Sequence, residues 1–133
     1  MVCKLKILSV ALLIAGCGSG NSLAPDLTGV TVLKPNALAE YRDAFQKTKS
    51  CVEQNYTGPI HDGQPSVTIV DHLNDTPDMQ HLIGQTDFNS IWLVAVGSDE
   101  GVRRVMTHES VHWLTGIGNE GHGTPLFEAC SDY

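Results

Sequence analysis

Val105-Met106-Thr107-His108-Glu109-Ser110-Val111-His112-Trp113-Leu114 is the stretch from which the rest of this 133-residue chain is read. His108 and His112 are four residues apart, so on an α-helix they stand one above the other on the same face. Two imidazole nitrogens then stand where one zinc ion can take both. Glu109 follows the first histidine, about 100° further round the helix. That is a poor position for a third ligand and a good one for hydrogen-bonding a water on the metal, the place of a general base. Glu109 is the only charged residue between Val105 and Leu114. Val105, Met106, Val111, Trp113 and Leu114 are expected to sink the helix into a core, where packing locks the rotamers of ligand side chains.

Punctuation on either side gives the helix its ends. Ile91-Trp92-Leu93-Val94-Ala95-Val96 is the strongest strand in the chain and stops at Gly97. Ser98 or Asp99 then caps the helix, with Asp99 and Glu100 in its first turn, where the dipole favours acids. Gly116 terminates it after Thr115.

The run from Val105 to Leu114 resembles the extended signature of zincin metallopeptidases, with His108-Glu109-x-x-His112 at its centre. The resemblance implies a zinc-dependent hydrolase, above all a peptidase, with one zinc ion, His108 and His112 as ligands and Glu109 as the base that takes a proton from water and passes it to the leaving amine. A third protein ligand is needed beside the solvent position. Past the helix, Gly116, Gly118 and Gly121 allow a reversal, and nine residues separate His112 from His122. This is similar to metzincins, where a glycine turn delivers a third histidine, but the span to the first glycine is one residue longer and no methionine follows His122. Glu120 and Glu128 are rival third ligands, Glu128 in the manner of gluzincins, which carry a glutamate on a second helix. An oxyanion-steadying side chain is also expected, with Tyr133, Tyr56 and His81 as unranked candidates. The family further implies a strand that edges the cleft and pairs with extended substrate, here Ile91–Val96 or Ser66–Val70.

Outward from the site, Thr28 to Leu33 reads as a short strand ended by Lys34-Pro35. Asn36 is placed to cap a helix from about Ala37 to Gln54, whose Leu38, Tyr41, Phe45, Thr48 and Val52 fall at helical spacing and read as core. Thr57 to Gln64 is a loop, with Gly58-Pro59 and Asp62-Gly63 as turn signals, and Ser66 to Val70 a second strand. Asp71 to Asn89 reads as a long polar connection of the kind that is often functional. Its His72 and His81 lack partners at metal-ligand spacing and read as surface histidines. The expected architecture is α+β: a small zincin-like domain over residues 28–133, with a short mixed sheet packed on two main helices, one of them carrying the paired histidines.

The N-terminus reads as an address rather than as fold. Lys4 and Lys6 precede an apolar run from Ile7 to Ala15 that is too short to span a bilayer. Leu13-Ile14-Ala15-Gly16-Cys17 resembles the bacterial lipobox. That resemblance implies removal of residues 1–16, acylation of Cys17 and anchoring by several chains, with residues 17–27 as lipidated cysteine and flexible tether. Gly18 is not the aspartate associated with inner-membrane retention, so a Gram-negative host would place the protein at the outer membrane. Cleavage would remove two lysines and no acid, taking the formal charge from −7 to −9. So acidic a chain is a poor partner for nucleic acid. With Cys3 and Cys17 accounted for, Cys51 and Cys130 remain as a natural disulfide pair in an oxidising compartment. The partners expected are a peptide or protein substrate and, through the lipid, a membrane. A non-catalytic zinc-binding or interaction lipoprotein is the alternative function.

Overall fold

The computed structural model describes residues 25–74 and 82–131. The expected signal segment, Cys17, residues 18–24 of the tether, His81 and Tyr133 lie outside them. The described chain runs β1 (Val32–Lys34), α1 (Leu38–Asn55), β2 (Ser66–Val70), β3 (Gly84–Thr86), β4 (Ser90–Val94), α2 (Asp99–Thr115) and α3 (Pro125–Cys130), with a 3₁₀ turn at Asn119–Gly121. This is the expected α+β class. The sheet is mixed, in the order β1-β2-β4-β3, with β2 parallel to β4 and the outer pairs antiparallel. Helices α1 and α2 pack on each other and on the sheet, and α3 packs against both.

Helix α2 follows its sequence signals. The Ser98 hydroxyl accepts from Gly101 N at 3.1 Å, and Gly116, with φ 67°, closes the other end by donating to His112 O. All five apolar residues expected to bury it are buried. Phe45, Val52, Val67, Ile91, Leu93, Met106 and Leu114 form the centre of the core, so the paired histidines are mounted on the most enclosed helix among the described residues.

Several expectations are corrected. Asn36 does not cap α1. It adopts φ 56°, which asparagine tolerates, and its Oδ1 accepts from Ser66 Oγ at 3.0 Å, clipping the start of α1 to β2. Ala37 takes the cap position without a side-chain bond. The first strand starts only at Val32, because Leu27 to Val30 form a turn closed by Val30 N donating to Leu27 O. Asn74 also donates to the carbonyls of Asp26 and Thr28, so the last tether residues are tied to the domain. Finally, the polar connection holds a strand, β3, which takes the sheet edge beyond β4. Both strands expected to offer a free edge, β2 and β4, are flanked on each side.

Cys51 and Cys130 form a disulfide across 79 positions of sequence, joining α1 to α3. A cross-link over so long a loop contributes at most about 4 kcal/mol by restricting the unfolded chain. Reduction, or replacement of both cysteines by serine, is expected to lower unfolding stability by about 2–4 kcal/mol, read as a fall in the urea midpoint.

Candidate metal centre

Helix α2 carries His108 and His112 on one face, and the chain after Gly116 brings back a third imidazole. Gly118 N donates to Glu120 Oε1 at 3.1 Å, and the 3₁₀ turn delivers His122. A Cβ on Gly121 would lie 2.5 Å from Phe127 and 2.6 Å from Ile117, so the return path passes through a gap that only glycine fits. The Nε2 atoms of His108, His112 and His122 end up 2.9, 3.0 and 3.1 Å from one another.

That triangle is hard to explain by hydrogen bonding. Each Nε2 offers one in-plane position, either a proton or a lone pair, so three nitrogens in mutual contact cannot satisfy three edges, and protonating them all would crowd like charges. A shared cation resolves the conflict. Zinc–nitrogen bonds of about 2.0–2.1 Å in tetrahedral geometry set ligand separations near 3.3 Å, which the triangle reaches by opening a few tenths of an ångström. His112 is already oriented to bind: its Nδ1 donates to Ile117 O at 2.6 Å, leaving the Nε2 lone pair for a metal.

Of the rival ligands, neither joins the group, which comprises His108, His112 and His122 among the described residues. The Glu120 carboxylate turns back to the loop backbone, and those hydrogen bonds hold it below its usual range. Glu128 is exposed on α3. His72 pairs with Asp71 at 2.8 Å. Tyr56 folds over Gly58 at the end of α1.

Two residues unmarked by the sequence reading shape the site. The Phe127 ring lies 4.6 Å from the His112 ring and 5.6 Å from each of the other two, an apolar wall shared by all three imidazoles. Phe127→Ala is expected to weaken metal binding about 10- to 100-fold, the range for residues that orient ligands, while Phe127→Leu retains most of it. Competition against a colorimetric chelator measures both. Gly84 of β3 is the other. A Cβ there would lie 2.6 Å from the Glu109 carboxyl, so the β3 backbone closes directly over that group.

Glu109 is 7 % exposed, and burial pushes its pKa up from 4.5 to about 8. Burial pushes His112 the other way, from 6.5 to about 4, against the opposing pull of the Ile117 carbonyl. The metal-free fold thus keeps both groups neutral over a wide range. Between pH 4.5 and 6.5 unfolding releases a proton from Glu109 and takes one up on His112, so their effects on stability cancel. From pH 6.5 to about 8 only the carboxyl contributes: the folded state retains a proton that the unfolded chain gives up, and stability falls as pH rises. Metal-free protein is expected to lose about 2 kcal/mol across that window, at about 1.4 kcal/mol per unit. Urea melts should show the slope, and Glu109→Gln should remove it.

Comparisons with protein families, curated proteins and solved structures give no match.

Proposed function

We propose that this protein is a zinc-dependent hydrolase of peptide bonds, carried on the bacterial cell envelope by lipid on Cys17. The observation that carries the reading is the convergence of three histidine Nε2 atoms, with a buried glutamate following the first of them in the sequence. Three ligands among the described residues is the number typical of catalytic zinc, which keeps a fourth position for solvent, whereas structural sites close with four.

His108, His112 and His122 would hold the ion. Zinc, when bound, supplies a Lewis acid for a carbonyl oxygen, hydroxide near neutral pH and a positive charge that favours the ionised form of Glu109. The Glu109 carboxylate accepts the proton of the attacking water and delivers it to the leaving amine. Gly84 lets the β3 backbone lie directly against that carboxyl, since a Cβ there would come within 2.6 Å of it. Strand β3 itself suits the substrate-pairing role that zincins give to an edge strand. Ile83 O accepts from Val94 N, and Asp87 N donates to Ser90 O. In this register Gly84 and Thr86 therefore direct their backbone groups away from β4. An extended peptide paired there would run past Glu109.

Purified residues 18–133 are expected to bind about one zinc and to cleave members of a fluorogenic peptide library, with activity lost to chelator and restored by zinc. Zinc-free protein, or cleavage indifferent to chelation, would sink the proposal.

A further inference from the structure

One helical turn beyond Glu109, on the same flank of α2, a cavity of about 340 Å³ opens beside His112. Three anchored elements wall it. The loop Pro59–His61 is fastened to the helix end by His61 N donating to Leu114 O at 2.7 Å. The turn after β3 is fixed by Asp87, whose carboxylate accepts from Asn89 N and Ser90 N at 2.8 and 2.7 Å. The third wall is α2 itself, from His112 to Gly116. Because all three are tied down, the space is preformed, as small-ligand pockets usually are.

Its lining is aromatic and apolar. The His61 ring stacks on Trp113 at 4.1 Å and meets Phe88 at 4.6 Å, with Ile60 and Leu114 alongside. The one carboxylate in the wall, Asp87, has an oxygen already engaged with backbone N–H groups. One feature marks this as a place for an occupant: Phe88 is 73 % exposed at the rim, a large apolar side chain left in water.

We infer that this cavity is a side-chain pocket for a bulky apolar residue of a peptide, aromatic or leucine-like, lying next to the metal centre and selecting what is presented to Glu109. The inference rests on the peptidase reading for its role in selection, but not for the binding itself. Position supports it: β3 passes Glu109 at Gly84 and reaches the pocket wall at Thr86, so a peptide paired along β3 carries side chains from one to the other. The lining supports it too: it holds no lysine or arginine among the described residues, and one oxygen of its single carboxylate, Asp87, is taken by backbone N–H groups.

The test does not need turnover. In the full chain carrying Trp92→Phe, Trp113 is the only tryptophan, and its emission reports on the pocket. The probes are the N-acetyl amides of phenylalanine, leucine, alanine and lysine, titrated into the zinc-loaded and the metal-free chain. Phenylalanine and leucine amides are expected to give a saturable shift at concentrations at least about tenfold below the alanine amide, the minimum that several lost methylenes impose. Lysine amide should be the weakest probe. Phe88→Ala, at an exposed rim position outside the ligand set, should erase that advantage while zinc content stays unchanged. Equal responses to phenylalanine and alanine amides, no saturable response, or indifference to Phe88→Ala would each overturn the pocket. Selective amide binding in a native chain that cleaves no peptide would leave the pocket standing and defeat the hydrolase. Cleavage without side-chain preference would do the reverse.

Discussion

His122→Ala is expected to lower zinc affinity by more than about 100-fold, beyond the 10- to 100-fold typical of residues that only orient ligands. His122 is exposed and the helix pair does not depend on it, so the far-UV spectrum should not change. The loss would come from the metal alone, because two imidazoles on one helix face leave half of a tetrahedral shell to solvent. The contrast that gives this result meaning is with Glu120→Gln and Glu128→Gln. Glu120 is engaged by the loop backbone, and Glu128 stands exposed on α3 outside the histidine group. Both variants should keep zinc within about tenfold of the native chain, since neither removes a ligand. Zinc retained by His122→Ala and lost by Glu128→Gln would reassign the third position.

The helix that bears the paired histidines was legible because every local preference agrees over residues 98–116. A serine cap, acids in the first turn, an apolar stripe and a terminal glycine all specify the same element, and tertiary packing had nothing to override. The cysteine pair was legible by elimination and compartment, and the bond is present. The convergence of His122 on the helix pair was readable only as one option among three. Glycines permit a reversal but do not say where it ends, and the end is set by Gly121 fitting between Phe127 and Ile117. Strand β3 escaped notice because Gly-Gln-Thr has no alternation and little strand preference of its own. It is a strand because its backbone completes the edge of β4. Phe127 and Gly84 carried no signal of a site in the sequence. Each takes its role from what the fold sets against it, three imidazoles in one case and a carboxyl in the other.

Glu109→Gln is expected to leave zinc content unchanged and to lower kcat/KM for peptide cleavage by about 10²- to 10⁴-fold, the usual worth of a positioned general base. Glutamine has nearly the same shape, so the packing under Gly84 survives, and its amide cannot take a proton from water. The buried setting makes the variant a clean probe. At neutral pH the metal-free carboxyl is already protonated, its pKa raised to about 8, so the neutral amide imposes no new desolvation cost on the fold. Stability at pH 8 should even rise, which separates lost chemistry from lost structure. Gly84→Ala supplies an independent check from the opposite strand. Its methyl would collide with the Glu109 carboxyl at 2.6 Å, so the group must shift while all three histidines stay in place. Activity should then fall, with zinc affinity held, even though the base is chemically intact, because a misplacement of about 1 Å can cost about 10²-fold. If Glu109→Gln cleaved peptides at the native rate with its zinc in place, the proton would be moving through some other group. The burial of Glu109 would then have only a packing role.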